Sequence, residues 1–337
     1  VYTLVDGSGL ASNYSLANTT ANATINQRAL TVSGLSAATR AYDATTNASL
    51  TVTALTGLVT GENLNVTATG TFDSANAGAR TATATYSVAN GTNGLASNYQ
   101  LTSANGSTNG TITPKALTIT GTSAASRDYD GGNTASMTVG TLSGFVGTET
   151  VTATATGTFD SANAGARTAT AAYTLVNGTN GGLAGNYSLA NTTAAATISK
   201  AALTVTGTTA ASRDYDGTTN ATITVGALSG FVNAETLTAT ATGTFDSKNA
   251  GARTATAVYT LVDGSGLASN YSLANTTANA TINPKALTMT GTTAAGRAYD
   301  GTTTAGLTLG TLSGFVGSET VTATATGVFG SKDAGLQ

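Results

Sequence analysis

Four copies of one pattern, about 85 residues apart, constrain this chain more than anything else in it. Tyr-Asp stands at Tyr42-Asp43, Tyr129-Asp130, Tyr215-Asp216 and Tyr299-Asp300, with spacings of 87, 86 and 84 residues. Asn-Tyr recurs at Asn13-Tyr14, Asn98-Tyr99, Asn186-Tyr187 and Asn270-Tyr271, and Phe72, Phe159, Phe245 and Phe329 keep the same step. Periods of about 20 to 50 residues belong to solenoids and propeller blades. A period near 85 is long enough for a small domain with its own core. The expectation is therefore an array of near-identical beads. Because neighbours are so alike, strands can pair with the wrong copy, and misassembled species are expected on refolding.

One repeat, Leu203 to Ala286, shows what each bead is made of. Leu203-Thr204-Val205-Thr206 alternates and stops at Gly207, and Ala221 to Val225 alternates again. In Thr236 to Phe245, Leu237, Ala239, Ala241 and Phe245 share one face while Thr fills the other. Asp246 to Gly251 is a turn cluster, and Arg253 to Val262 returns with Ala255, Ala257, Tyr259 and Leu261 on one side. Tyr271 to Leu273 and Ala278 to Ile282 are the last extended pieces. Period-two alternation in Thr- and Val-rich segments marks strands buried on one face. No segment sustains a 3.6-residue period. About seven short strands with frequent turn signals predict an all-β fold, a tandem array of immunoglobulin-like β-sandwich domains.

The chemistry available is narrow. The 337 residues contain no Cys, no His and no Trp; charged residues are 9% and the net charge is -3. Without His the usual general base and commonest metal ligand are missing. So little positive charge does not suit a nucleic-acid backbone, and there is no polybasic segment for an anionic membrane. No apolar run approaches the roughly 20 residues of a membrane span. Catalytic, cofactor-binding and metal-site residues are accordingly none, and the expectation is a protein that is not an enzyme.

Copies are joined closely. Ile25 and Leu30, Ile112 and Leu117, Ile198 and Leu203, and Ile282 and Leu287 are each separated by only four residues, with Pro114 and Pro284 at two of the junctions. Such links hold no Gly/Ser tether, and Pro favours extended backbone before it. The array is expected to form a stiff, extended rod. The boundaries fall at 1–29 (the C-terminal part of a repeat), 30–116, 117–202 and 203–286 (whole repeats), and 287–337 (the N-terminal part of a repeat).

The repeated residues resemble a known family. Tyr-Asp-Gly at 129–131, 215–217 and 299–301, and Phe-Asp-Ser-x-Asn-Ala-Gly at 72–78, 159–165 and 245–251, are similar to the YDG and MBG (mostly bacterial Ig-like) repeats. The Asn-Tyr element and the Pro-Lys-Ala-Leu junctions fit as well. Such repeats occur in large exported bacterial surface proteins, including filamentous-haemagglutinin-like adhesins. The resemblance implies an immunoglobulin-like sandwich, an extracellular or cell-surface location and a stalk or adhesive role, and it carries over no catalytic residues. One departure is Ala44, where the other copies have Gly. Either that position does not demand φ > 0, or the first copy is strained there.

Several residues invite a sharper reading. Asp128 with Asp130, or Asp214 with Asp216, offers oxygen ligands for calcium. Ala41 and Ala298 replace one partner in the first and last copies, however, so a turn-capping Asp is the better account. Arg40, Arg127, Arg213 and Arg297 precede the Tyr-Asp element. Glu62, Glu149, Glu235 and Glu319 recur once per repeat, and Arg80, Arg167 and Arg253 follow the Phe turn. Paired carboxylates suggest glycosidase chemistry, but a site copied into every bead without an aromatic platform suits salt bridges at domain edges better. The Thr ladders, such as Thr67-Ala68-Thr69 and Thr81-Ala82-Thr83, read as the solvated face of a twisted sheet rather than a flat ice-binding lattice. Sequons such as Asn22-Ala23-Thr24 and Asn220-Ala221-Thr222 follow from an Asn- and Thr-rich composition.

Residues 1–26 repeat residues 258–283 identically, and Gly335-Leu336-Gln337 aligns with Gly251-Ala252-Arg253. Only the equivalents of Thr254 to Ala257 are absent between the two part-repeats. This reads as a window onto a longer array, or as a chain whose part-repeats are completed by neighbouring copies. The leading functional expectation is a structural stalk or fibre segment of a bacterial adhesin. Its partners would be neighbouring repeats or copies of the same protein, together with a surface receptor or glycan. The alternative is a repeated glycan- or ice-binding module acting by avidity.

Overall fold

A computed structural model describes residues 1–337. The protein is all-β, broken only by short 3-10 turns such as Ala268–Asn270. The third repeat displays the plan. Its five-stranded sheet runs Arg213–Asp214, Thr276–Asn283, Gly251–Asp263, Leu237–Phe245, Asn220–Ala221. A three-stranded sheet sets Ala201–Thr206 between Ala227–Ser229 and Tyr271–Leu273, and Thr209–Ala210 pairs with Ile223–Thr224. The long hairpin is antiparallel, with Leu237 opposite Asp263 and Phe245 opposite Ala255. Two pairings are parallel: Ala201–Leu203 with Tyr271–Leu273, and Arg213–Asp214 with Ile282–Asn283.

The alternation seen in the sequence is the cause of this pattern. Leu237 and Phe245 are buried, Ala239 and Ala241 half-buried, and the intervening Thr residues exposed. Ala255 and Ala257 lie wholly inside, because central strands crossing this closely leave room for a methyl group only. The repeat has ten strands rather than about seven. The additional ones are two-residue pieces around the Tyr-Asp-Gly turn, too short to leave a periodic signal. One residue, Pro114 or Lys200, separates the last strand of one repeat from the first strand of the next.

The chain forms two compact units. The first comprises Val1–Thr122, Val139–Ala155 and Ala172–Thr192, and the second Ser123–Thr138, Thr156–Ala171 and Thr193–Gln337. The division runs through the second repeat, not through a junction. In the first unit, one core joins Tyr42, Phe72 and Ile112 of the first repeat to Leu117, Val151 and Tyr187 of the second. In the second unit, Tyr129, Phe159 and Ile198 join Leu203, Leu237 and Tyr271 of the third repeat. Smaller clusters hold Leu30, Leu64 and Tyr99, and Phe245, Ala255 and Ile282. Each large core is therefore shared across a junction. At about 1.5–3 kcal/mol per fully buried large side chain, each of the two largest cores draws apolar stabilisation from both copies.

The two identical segments 1–26 and 258–283 fold differently. Residues 258–283 contribute three strands, and Tyr271 is 1% exposed. Residues 1–26 join no sheet, and Tyr14 is 70% exposed. Both nonetheless form the same 3-10 turn, Ala11–Asn13 and Ala268–Asn270, with the turn's first N–H bound by Asp6 or Asp263. The turn depends on neighbours in sequence. The strands need the earlier half of a repeat to pair with. No helix is long and apolar enough to cross a membrane.

Candidate functional site

The residues that recur once per repeat converge on the junctions. At the first junction, Glu149 accepts two hydroxyls. Tyr42 of the preceding repeat donates to Oε1 at 2.7 Å, and Tyr187 of its own repeat donates to Oε2 at 2.6 Å. The Tyr187 hydroxyl also accepts Val146 N at 3.1 Å. The two rings meet edge to face, 5.6 Å apart at 78°, a geometry favoured by the aromatic quadrupole. The second junction repeats this with Tyr129, Glu235 and Tyr271: both hydroxyl bonds are 2.7 Å, Val232 N lies 3.0 Å from Tyr271 Oη, and the rings are 5.6 Å apart. At the third, Tyr215 donates to Glu319.

Burial, and next the bond to Glu149, pushes the Tyr42 hydroxyl up to about 12. Burial and Glu235 do the same for Tyr129, also to about 12. Tyr187 and Tyr271 are raised for the same two causes. These tyrosines are held as neutral donors to a carboxylate, and ionising one would place two negative charges side by side.

A second bond set lies beside the first. Asn186 is buried and uses both ends of its amide across the junction. Its Oδ1 accepts Ala77 N at 2.9 Å, and its Nδ2 donates to Asn76 Oδ1 at 3.0 Å. Asn270 does the same with Ala164 N at 2.8 Å and Asn163 Oδ1 at 3.0 Å. The receiving loop is the Phe-Asp-Ser-x-Asn-Ala-Gly stretch. Arg80 shapes it from within its own repeat, Nε to Asn76 O at 2.7 Å and Nη2 to Ala77 O at 3.0 Å, and Arg167 makes the same two bonds. The arginines after the Phe turn are thus loop clamps.

The Tyr-Asp-Gly turn is held by a third set. Asp43 pairs with Arg40, Asp130 with Arg127, Asp216 with Arg213 and Asp300 with Arg297. Each Arg also lies over a Phe ring, from Arg40 on Phe72 at 5.8 Å to Arg297 on Phe329 at 5.5 Å, a cation–π contact. The Asp216 carboxyl accepts the Thr218 N–H, then its hydroxyl, and Arg213 adds to these; together they hold it below the usual carboxylate range. Gly132 N–H and then Arg127 do the same for Asp130.

These contacts decide several sequence expectations. The salt bridges expected at domain edges exist between Arg and Asp inside one turn, while the recurring Glu binds tyrosines instead. Of the aspartates weighed as calcium ligands, Asp130 binds Arg127 and accepts the Gly132 N–H, and Asp214 Oδ1 accepts Asn283 Nδ2 at 3.3 Å. The Thr ladders lie on exposed strand faces.

The Tyr-Asp-Gly glycine does require positive φ: Gly131 and Gly217 sit at 80° and Gly301 at 76°. Ala44 adopts 64° at the same place, so the first copy carries the strain. A Cβ on Gly131 would collide with Asn233 of the next repeat. At the first junction Gly147 stands at the position of Asn233, which removes the side chain that an alanine would meet.

Every element of these junctions belongs to one recurring signature, and the YDG domain family model matches residues 26–106, 113–195, 199–278 and 283–337. The chain belongs to the YDG domain family. Its four YDG matches each carry the Tyr-Asp element at a junction or, in the last, at the exposed Tyr299. No curated protein matches the sequence. Among solved structures, the crystal structure of Drosophila N-cadherin EC1-4 is similar over 78% of this chain and 76% of that one, at 10% identity and a TM-score of 0.23. That likeness is too loose to carry an argument.

Proposed function

We propose that this YDG array is a stalk segment of a bacterial cell-surface adhesin, working outside the cell as a chain of immunoglobulin-like β-sandwich spacers. The observation that carries the proposal is the junction. A carboxylate gripping one tyrosine from each side, an asparagine bridging to the neighbouring loop and a shared apolar core all restrain how one repeat meets the next. A binding module needs only its own surface presented to solvent, and a flexible link would serve it. Fixed links serve reach. The role is mechanical rather than catalytic, since the recurring Glu, Asp and Arg side chains are spent on structural bonds.

Small-angle scattering tests the rod. If strands of about ten residues at roughly 3.3 Å each span a bead, four beads extend on the order of 140 Å. A maximum dimension near that value is expected, and a compact globule would sink the proposal. A glycan array separates the spacer role from multivalent sugar binding: the isolated chain is expected to leave it unlabelled.

A further inference from the structure

One tyrosine of the first repeat has neither of the partners that its copies keep. In the second repeat, Thr122 and Thr192 clasp the Tyr173 hydroxyl at 2.7 and 2.6 Å. In the third, Thr208 and Thr276 clasp Tyr259 at the same two distances. The first threonine of each pair also accepts a glycine N–H at 3.3 Å, from Gly140 or Gly226. The first repeat retains the tyrosine as Tyr86. Around it, Leu35, Thr53 and Gly106 stand where the other two copies have Thr, Gly and Thr. Leu35 and Gly106 carry no side-chain hydroxyl, so the clasp on Tyr86 is gone from both sides.

The exchange changes the backbone as well. Arg28–Ala37 is one strand, paired with Leu50–Thr56 through a bulge at Gly34, where the second repeat has two strands, Lys115–Thr120 and Ser123–Ala124. Beside the bulge lies an open cavity of about 470 Å³, within the roughly 300–1,000 Å³ of small-molecule sites. Tyr86 and Leu35 line it together with the hydroxyls of Ser33, Thr53 and Ser107. Gly106 leaves the room, since a Cβ there would collide with the Tyr86 hydroxyl. No charged residue lines it.

We propose that this cavity of the first repeat binds one neutral hexose unit. A hydroxyl both donates and accepts, so a lining of serine, threonine and tyrosine hydroxyls matches the rim of hydroxyls on a sugar ring. The Tyr86 ring and Leu35 give apolar surface to the C–H face of a pyranose. An acidic sugar, a phosphate or a metal ion would lose hydration with no opposite charge to meet it. The site is single, because in the second and third repeats the threonine clasp already occupies the tyrosine hydroxyl. One site without avidity holds a hexose in the millimolar range, too weakly to retain the chain on a washed glycan array. The inference goes beyond the stalk reading and does not depend on it.

Saturation-transfer NMR on the 337-residue chain tests the proposal, with D-glucose, D-galactose, D-mannose and N-acetyl-D-glucosamine as probes. Saturable binding of at least one of them at one site is expected. Tyr86→Phe keeps the ring and removes a hydroxyl outside any threonine clasp, so the fold is retained; binding should weaken by about three- to tenfold. Leu35→Thr combined with Gly106→Thr reinstates the clasp of the other copies and should abolish saturable binding. Tyr173→Phe, the same change in the second repeat, should leave binding as it was. D-glucuronate and glucose 6-phosphate should bind no more tightly than D-glucose. Absence of saturable transfer from all four probes overturns the proposal. So does binding indifferent to Tyr86→Phe, an equal loss on Tyr173→Phe, or tighter binding of either charged sugar. Should the double variant fail to fold, Tyr86→Phe against Tyr173→Phe still decides. A compact scattering profile would remove the stalk reading and leave this result untouched.

Discussion

Tyr42 and Glu149 lie 107 positions apart and share a 2.7 Å hydrogen bond across the junction of two repeats. Glu149 Oε2 holds Tyr187 from the other side, so one carboxylate reports on both neighbours. Hydrogen bonds to a charged acceptor contribute about 1.5–3 kcal/mol each, and a buried donor left unsatisfied costs about 1–3 kcal/mol. Glu149→Ala should therefore lower the stability of the first junction by about 2–4 kcal/mol, as read by chemical denaturation. Glu149→Gln, which keeps one acceptor oxygen, should lose less. A double-mutant cycle with Tyr42→Phe should show coupling well above zero; additive losses would mean the bond does not tie the repeats.

The same pairing sets a limit at high pH. The ordinary tyrosine value is 10.0, and in the folded chain Tyr42 and Tyr129 are pushed up to about 12. A raised value means the folded state holds its proton more tightly. The stabilisation is complete below pH 10 and is lost as pH rises through 12. Thermal unfolding should stay level to about pH 10 and fall steeply above it. Replacing Tyr42 and Tyr129 with Phe should flatten that fall, and an unchanged profile would remove the proposed linkage.

Ala44 and Gly217 occupy one place in two copies of the turn, at φ of 64° and 80°. An L-residue in that region is strained by roughly 1–2 kcal/mol. Ala44→Gly is expected to stabilise the first repeat by about 0.5–1 kcal/mol once the entropy of the added glycine is counted. Gly217→Ala should destabilise by about 1 kcal/mol or more, because its Cβ would also lie 3.1 Å from Val316 Cγ1. Opposite signs in paired denaturation curves are the check.

Much of the fold was legible because strand alternation is local. Thr236 to Phe245 and Arg253 to Val262 appear as strands within one or two residues, with Leu237, Ala255 and Ala257 facing inward as read. The site was legible only as recurrence. Glu149 was visible as the acid that returns once per repeat, and Tyr42 and Tyr187 as two recurring aromatics. That they meet was not visible, since in an array of copies a tyrosine can pair within its own repeat or with the next. One signal was present: in a chain with 9% charged residues, an acid three positions after Phe231-Val232 is poorly placed for a surface pair and well placed as a half-buried acceptor. The identical segments 1–26 and 258–283 show the same limit from the other side, since sequence sets their turn and pairing partners set their strands.

The last prediction concerns what unfolds together. Leu203 is the third residue of its strand, Ala201–Thr206, yet the core it enters contains Tyr129, Phe159 and Ile198 of the repeat before it. Leu203→Ala removes a buried side chain at a cost of about 2–5 kcal/mol. If each repeat were self-contained, that loss would appear only in residues 203–286. With a core shared across the junction, protection should fall on both sides of it. Hydrogen exchange is expected to accelerate at the amides of Phe159 and Ile198 together with those of Val205 and Leu237. Leu30→Ala provides the contrast, because its cluster of Leu30, Leu64 and Tyr99 lies within the first repeat; its effect should fade before Leu117. Acceleration confined to the mutated repeat in both variants would show that the junction cores add little, and that each YDG copy stands on its own.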